Sequence, residues 1–427
     1  MFVGRPGILK PGVFWSSATV LTVCVAVWVR QGAQTGRIGS FLALFGLAFA
    51  AYLAALAVAG GLTRRGLAVA LGLAVAWRAA LVAAPPLLSD DVHRYVWEGR
   101  VQVHGGNPYS WRDRPDSPRW VHLRDEVWDA LNHKDYTAVY PPLFELVACG
   151  VVALHDSVAA MKAFLVLCEL ATLAALALLL RRQGRPPERL LVLAWSPLAL
   201  VEIAGSGHNE AFGMLWLALA LLALAAGRPL LSALAAAAGF SAKLLPGLVA
   251  VAWLRRYRPW HVLAGLALVG ALALPYLDAG RTLLLSLGKY ARFWRFNETL
   301  FAPLVALVGS HEGAVFATSA VTVTLALLLA MRRAEPVAAA MAVVVASLLL
   351  APNVLPWYAL WLLPLLVLRD EPAALLFTGT VSLAYLVYPA WQSGEPWRLG
   401  GGIRVLEYGP CAFVAARVWL EQGSSRE

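Results

Sequence analysis

Ala83-Ala84-Pro85-Pro86-Leu87-Leu88-Ser89-Asp90-Asp91-Val92-His93-Arg94-Tyr95-Val96-Trp97-Glu98-Gly99-Arg100 decides how the chain is read. It begins where a hydrophobic segment over 66–85 ends, so two adjacent carboxylates stand where a membrane span emerges into water. Ser89 is placed to cap a helix. At a helix N-terminus the dipole and the free N–H groups favour the ionised carboxylate, and i,i+4 spacing sets Arg94 beside Asp90. In an ordinary chain Ser-Asp-Asp reads as an acidic cap with a surface ion pair. Here it lies at a membrane exit in a protein otherwise poor in charge, which favours a functional site.

The bulk composition agrees. Of 427 residues 60% are hydrophobic and 14% charged, against about 25% charged in a soluble domain. Apolar runs of roughly 17–25 residues recur, each long enough to cross a ~30 Å hydrocarbon core. The fold class is therefore all-α: a polytopic membrane helix bundle of about 12–14 spans with a large extracytoplasmic loop of juxtamembrane helices. Spans are expected near 13–29, 39–60, 66–85, 159–180, 189–203, 210–226, 261–278, 313–331, 335–351, 355–368, 371–389 and 404–420. The net charge of +10 sits mostly in short clusters between them. Arg5/Lys10, Arg64-Arg65, Arg181-Arg182-Arg185-Arg189, Arg228, Arg255-Arg256-Arg258 and Arg332-Arg333 are assigned to the cytoplasm. That pattern orients a membrane protein and gives no reason to expect nucleic acid. The apolar run after Lys10 is followed by no small-x-small cleavage site, so a retained first span is expected. Cys24, Cys149, Cys168 and Cys411 all fall in apolar runs and read as buried hydrophobes.

One unit over 1–427 is expected: anchoring spans in 1–65, an extracytoplasmic catalytic loop over 86–158, and the remaining bundle over 159–427. The loop holds 11 of the 25 acidic residues, with Trp97, Trp111, Trp120 and Trp128 among them. Val92, Tyr95 (or Val96) and Gly99 recur at helical spacing, as do Trp120, Leu123, Val127 and Leu131, which predicts amphipathic helices in the interface. Residues 140–155 are apolar, but a span there would reverse the charge rule, so a helix lying against the outer face is expected. Residues 229–254 carry Gly239, Lys243, Pro246 and Gly247 at their centre, which predicts two half-helices bent toward an internal cavity. Only a short polar tail, 422–427, looks low in complexity.

Polar groups recur at the far-side junctions. Gly105-Gly106-Asn107-Pro108-Tyr109, Asn132-His133 and Tyr140-Pro141-Pro142 read singly as turns; together they make a rigid loop returning toward Asp90-Asp91. Gly205-Ser206-Gly207-His208-Asn209-Glu210 starts a span on the same side, suited equally to a helix cap and to sugar hydroxyls. Lys243 lies mid-segment, where a cation costs roughly 2.5–3.5 kcal/mol on insertion scales; a lipid phosphate, snorkelling, or pairing with Glu202 or Glu210 would each account for it. Arg281, Lys289, Arg292 and Arg295 break the charge rule on the outer side. No Walker A loop, His-Glu-x-x-His or strand–helix GxGxxG is present. An outward-facing enzyme without nucleotide machinery needs its activated substrate delivered in the membrane.

Ser89 through Arg100, followed by Asn107-Pro108-Tyr109, Asn132-His133, Tyr140-Pro141-Pro142, Gly207-His208-Asn209 and Pro356-Trp357-Tyr358, resembles the GT-C glycosyltransferases. Within them it is similar to the bacterial polyprenyl-phosphate-mannose-dependent mannosyltransferases, over about residues 66–370. The anchoring spans depart from the simplest GT-C layout, which has one span before the acidic pair. The resemblance implies an inverting hexosyl transfer, mannose being expected, in a bacterial plasma membrane with an extracytoplasmic site. It implies a polyprenyl-phosphate sugar donor, a glycan or glycolipid acceptor and transfer without a nucleotide; no cofactor is expected, and the spacing of the carboxylates does not demand a metal. A glycosyl phosphate has a good leaving group, so one base suffices where glycoside hydrolysis needs an acid–base pair. Asp90 or Asp91 is the expected catalytic base. Arg94, Arg100, Asn107, Tyr109, Tyr140, His208, Asn209, Glu210, Lys243, Arg292 and Arg295 are the candidate donor and substrate contacts, with Lys243, Arg292 and Arg295 on the phosphate. A transporter or flippase of lipid-linked saccharides would use a similar cavity, but its two related halves are not visible. A non-catalytic assembly subunit is the third reading.

Overall fold

The computed structural model describes residues 10–424. Arg5 and residues 425–427 of the polar tail lie outside them. Among the described residues no strand forms; a single bridge joins Phe296 and Asn353. Helix dominates because hydrocarbon offers the backbone no partner, so each segment satisfies its own N–H and C=O groups.

Among the described residues seven helices are long and apolar enough to cross a membrane: Pro11–Gln31, Thr35–Val58, Arg64–Ala83, Val158–Arg182, Pro259–Phe293, His311–Met331 and Pro372–Gln392. An eighth crossing forms if Pro197–Gly205 and Glu210–Ala225, bent by 118°, count as one. The twelve expected segments thus give fewer full-length crossings. Pro336–Leu350 and Pro356–Leu368 are apolar but short, and the segment expected over 189–203 is divided into several short helical pieces. The expected break within 229–254 lies at Lys243, whose extended backbone separates Pro229–Ala242 from Leu245–Val251.

Val158–Arg182, 25 residues long, rises about 36 Å at ~1.5 Å per residue, the thickness of a bilayer core with its margins. Near its start Lys162 Nζ donates to the Leu81 and Ala84 carbonyls at 2.7 Å each, closing the end of Arg64–Ala83 below the acidic stretch. At its far end Leu179 and Gln183 line a cavity of about 390 Å³ with Arg256, Glu335 and Pro336. Arg256 donates there to Arg333 O and Ala334 O. Arg189 donates to Leu366 O, Val367 O and Asp370. The basic clusters therefore gather a full helix length from Asp90-Asp91. In the interior, Arg78 Nε donates to Glu169 Oε2 at 2.7 Å and Nη1 to the Ala74 and Ala194 carbonyls at 3.0 and 2.8 Å. Both side chains are fully buried, and a charge at that depth is tolerated because it is paired.

The loop 86–158 is built on two helices, Asp91–Val103 and Pro142–Leu154. The second has 13 residues, about 20 Å, too short to span. The two approach closely at Gly99, where an added Cβ would lie 2.6 Å from the Ala148 carbonyl oxygen. Backbone cannot yield as a side-chain tip can. Gly99→Ala is expected to push the helices apart and cost about 1–3 kcal/mol, read as a lowered midpoint of thermal unfolding in detergent. Val92, Tyr95, Val96 and Gly99 are buried, but so are Arg94, Trp97, Glu98 and Val101, so burial runs round this helix and not along one apolar face as an interfacial helix requires. The second predicted amphipathic helix is corrected: Pro118–Leu123 is a 3₁₀ turn and Glu126–Asp129 a single helical turn. The chain is extended at Arg124 and Asp125 between them, where Asp125 caps the next turn by accepting from Val127 and Trp128 N–H. Trp120 and Leu131 nevertheless share a small core with Trp97 and Val101.

Candidate active site

Asp91 opens the Asp91–Val103 helix, and Asp90, not Ser89, stands at its N-cap. Ser89 Oγ instead accepts from Asp91 N–H at 3.3 Å. Asp90 is exposed, whereas the Asp91 side chain is recessed, with 21% of its surface open. Asn132 faces both: its Nδ2 donates to Asp90 Oδ1 at 2.6 Å and to Asp91 Oδ1 at 3.3 Å. Tyr140 OH donates to Asp91 Oδ2 at 3.4 Å, and His208 Nδ1 lies 3.8 Å from the same oxygen.

The bent helix pair Pro197–Gly205 and Glu210–Ala225 delivers His208 from its break. Leu200–Gly205 winds as a π-helical turn, a local widening that recurs at functional sites. Gly207 then takes φ +82°, and a Cβ there would meet Val92 Cγ2 at 2.9 Å. This glycine lets the turn press against the first turn of the aspartate helix. The His208 ring is fully buried and stacks on Trp357 at 3.9 Å between centroids, 17° from parallel. Its Nε2 lies 3.4 Å from Glu202 Oε2, and Glu202 Oε1 accepts from Tyr385 OH at 2.8 Å.

Lys243, at the break between Pro229–Ala242 and Leu245–Val251, reaches the same cluster. Its Nζ lies 2.7 Å from buried Glu210 Oε1 and donates to Asn209 Oδ1 at 2.7 Å. It also stands 5.0 Å from the centre of the Tyr140 ring. Tyr140 thus has the acid on its hydroxyl and the cation at its face. Burial, and then the charge of neighbouring Asp90, push the Asp91 carboxyl above the usual carboxylate range; Lys243, Asn132 and Arg94 pull the other way.

The structure brings together Asp90, Asp91, Tyr140, His208, Asn209, Glu210 and Lys243. The other candidates lie elsewhere. Arg94 does not pair with Asp90, a correction of the i,i+4 reading. Its guanidinium turns down the helix to Glu98 at 3.2 Å and across to the Asn132 and His133 carbonyls at 2.7 Å each. Arg100 bridges Asp125 and Asp156 at 2.8 Å. Asn107 bonds Tyr276 O and Asp278, fastening the Leu274–Leu284 segment to the loop. Tyr109 is buried behind Tyr140, donating to its carbonyl at 2.5 Å. Arg292 is 59% exposed and pairs with Glu312 at 2.7 Å, and Arg295 pairs with Glu298 at 2.8 Å. Among the described residues no three His, Cys, Asp or Glu side chains converge as metal ligands.

Four residues of the cluster were not among the candidates: Asn132, Glu202, Trp357 and Tyr385. Asn132 and Trp357 stand in the polar and proline-bearing blocks noted above, a usable signal. Glu202 and Tyr385 lie within apolar runs, and Tyr385 carries no mark in the sequence.

No curated protein and no solved structure matches the chain. The N-terminal domain of the alpha-(1->6)-mannopyranosyltransferase (MptA_B) family matches residues 6–256. The match covers the aspartate pair, the loop, the bent helix pair and Lys243, and more than half of the sequence. With its apolar helices and this match, the chain is an integral membrane glycosyltransferase and belongs to the alpha-(1->6)-mannopyranosyltransferase family.

Proposed function

We propose that the protein transfers mannose from a polyprenyl-phosphate donor to the 6-hydroxyl of a glycan or glycolipid mannose. The reaction takes place on the extracytoplasmic face of a bacterial plasma membrane. Asp91 Oδ2 takes the proton of the acceptor hydroxyl as its oxygen attacks the anomeric carbon. The bond from that carbon to the phosphate oxygen breaks, and the lipid phosphate leaves with the electron pair. No proton is needed on the leaving side, because phosphate is stable as an anion; a cation there stabilises the developing charge. Lys243 supplies it, held ready by Asn209 and Glu210. An α product formed with inversion requires a β-linked donor. His208, stacked on Trp357, and Tyr140 line the space between base and cation.

The observation that carries this reading is the recessed carboxylate and the lysine on either side of Tyr140. The outward orientation rests on the basic clusters a helix length away. The test is transfer by purified protein in lipid nanodiscs, offered radiolabelled mannose on polyprenyl phosphate or on a nucleotide. Label is expected in the acceptor from the lipid donor alone. Transfer from the nucleotide and none from the lipid would overturn the proposal.

The electrostatics give a further expectation. The base must be ionised, and Asp91 is held above the ordinary range partly by Asp90. Activity therefore falls as pH drops through that raised value. Asp90→Asn removes the like charge, lowers the Asp91 value and moves the acid limb of kcat against pH downward. An upward shift would contradict this division of roles.

A further inference from the structure

Asp91 has two carboxylate oxygens, and catalysis as proposed above uses only one. Asp91 Oδ1 and Asp90 Oδ1 both face the Asn132 amide nitrogen, at 3.3 and 2.6 Å. A primary amide carries two N–H groups, so one nitrogen serves both carboxylates. That leaves Asp91 Oδ2 on the side of Tyr140 and His208. Asn132 lies in a non-helical segment beside His133, whose φ of +43° is unusual for a residue with a side chain.

Arg94 holds that segment. It is buried and lies on the same helix as Asp91. Its Nη2 donates to both the Asn132 and His133 carbonyls at 2.7 Å, while Nη1 meets Glu98 at 3.2 Å and the Tyr136 carbonyl at 3.5 Å. The connections close a ring. The helix carries Asp91 and, one turn on, Arg94; Arg94 holds the backbone of Asn132; the Asn132 side chain returns to Asp91. Only a planar fork with several donors reaches these carbonyls at once.

We propose that Asn132 is a positioning residue, held by the Arg94 fork, that occupies Oδ1 of both aspartates and so presents Asp91 Oδ2 to the acceptor hydroxyl. The inference rests on Asp91 being the base. Asp90, Arg94 and Lys243 act on that carboxylate, Glu98, Glu210 and His133 also interact with it through charge, and Tyr140 and the His208 ring stand beside it.

The experiment compares Asn132→Ala, Asn132→Gln and Arg94→Lys with the wild type in nanodiscs, measuring kcat, acceptor KM and the pH profile. Asn132→Ala removes the donor but leaves the backbone that Arg94 grips. Its kcat is expected to fall about tenfold or more, with acceptor KM changed less than about twofold. Its acid limb is expected to move upward, because a lost hydrogen bond to the ionised form favours the protonated one. Arg94→Lys keeps the charge and loses the fork, so an upward shift there reports displacement of Asn132 and not loss of a cation. Asn132→Gln, which keeps the amide on a longer arm, is expected to recover part of both effects. An unmoved acid limb in folded Asn132→Ala, with kcat near wild type, overturns the inference. If Asp91→Asn is inactive at the same time, only this inference fails; if Asp91→Asn is also active, the base assignment falls with it.

Discussion

Asp91→Asn is expected to lower kcat for mannosyl transfer by about 10²–10⁴-fold, the usual worth of a positioned general base. The substitution is nearly isosteric. Its amide oxygen can still accept from Asn132, and helix N-terminal positions tolerate Asn. Expression, membrane insertion and the midpoint of thermal unfolding should therefore stay close to wild type. What changes, on the proposed mechanism, is the atom offered to the acceptor hydroxyl: an amide takes no proton at neutral pH. Asp90→Asn should be far milder, because Asp90 is exposed and acts on the reaction through the charge it adds beside Asp91. Single-turnover transfer with pre-bound lipid donor separates chemistry from product release. A near wild-type single-turnover rate in Asp91→Asn, or an inactive Asp90→Asn beside an active Asp91→Asn, would sink the assignment.

The sequence announced this acid for a physical reason. In an apolar chain a pair of carboxylates at the end of a span has few structural uses, so Asp90-Asp91 stands out without any knowledge of the fold. The same contrast marked Lys243, and the glycines and prolines around it marked the break that exposes it. Helices followed directly from apolar length, because a continuous apolar run of about 20 residues can satisfy its own backbone in a bilayer only as a helix. What composition could not supply is the address of each polar side chain. Arg94 shows the difference. Spacing along the helix allowed it to reach either Asp90 or Glu98, and the deciding contacts are carbonyls almost forty residues away. Arg292 and Arg295 looked suited to a phosphate by charge alone, yet each has an acidic neighbour and lies on an exposed segment. Tyr385 reaches Glu202 from a part of the chain nearly two hundred residues distant. Such a pairing depends on how the spans are arranged around one another, which no local pattern records.

Lys243→Met is expected to reduce transfer by about 10²–10³-fold, the loss seen when one preorganised group facing developing charge is removed. The effect should fall on kcat more than on acceptor KM, since the phosphate gains charge as its bond to the sugar breaks. The variant has a second consequence. Glu210 is fully buried and Lys243 is its ion-pair partner at 2.7 Å, and stripping one partner from a buried pair costs about 3–5 kcal/mol. Loss of activity in Lys243→Met alone would therefore not distinguish a missing phosphate contact from a loosened fold. Lys243→Met combined with Glu210→Gln resolves the two. With no charge left uncompensated, the double variant should recover most of the thermal stability and none of the transfer. Lys243→Arg keeps the charge at a different reach and should retain part of the rate. The donor headgroup gives an independent reading: as the phosphate loses its cation, the apparent affinity for polyprenyl phosphate, the product, should weaken in both Met variants. A double variant that regains stability and activity together would show that Lys243 serves only to neutralise Glu210, and the cation facing the leaving phosphate would have to be sought elsewhere.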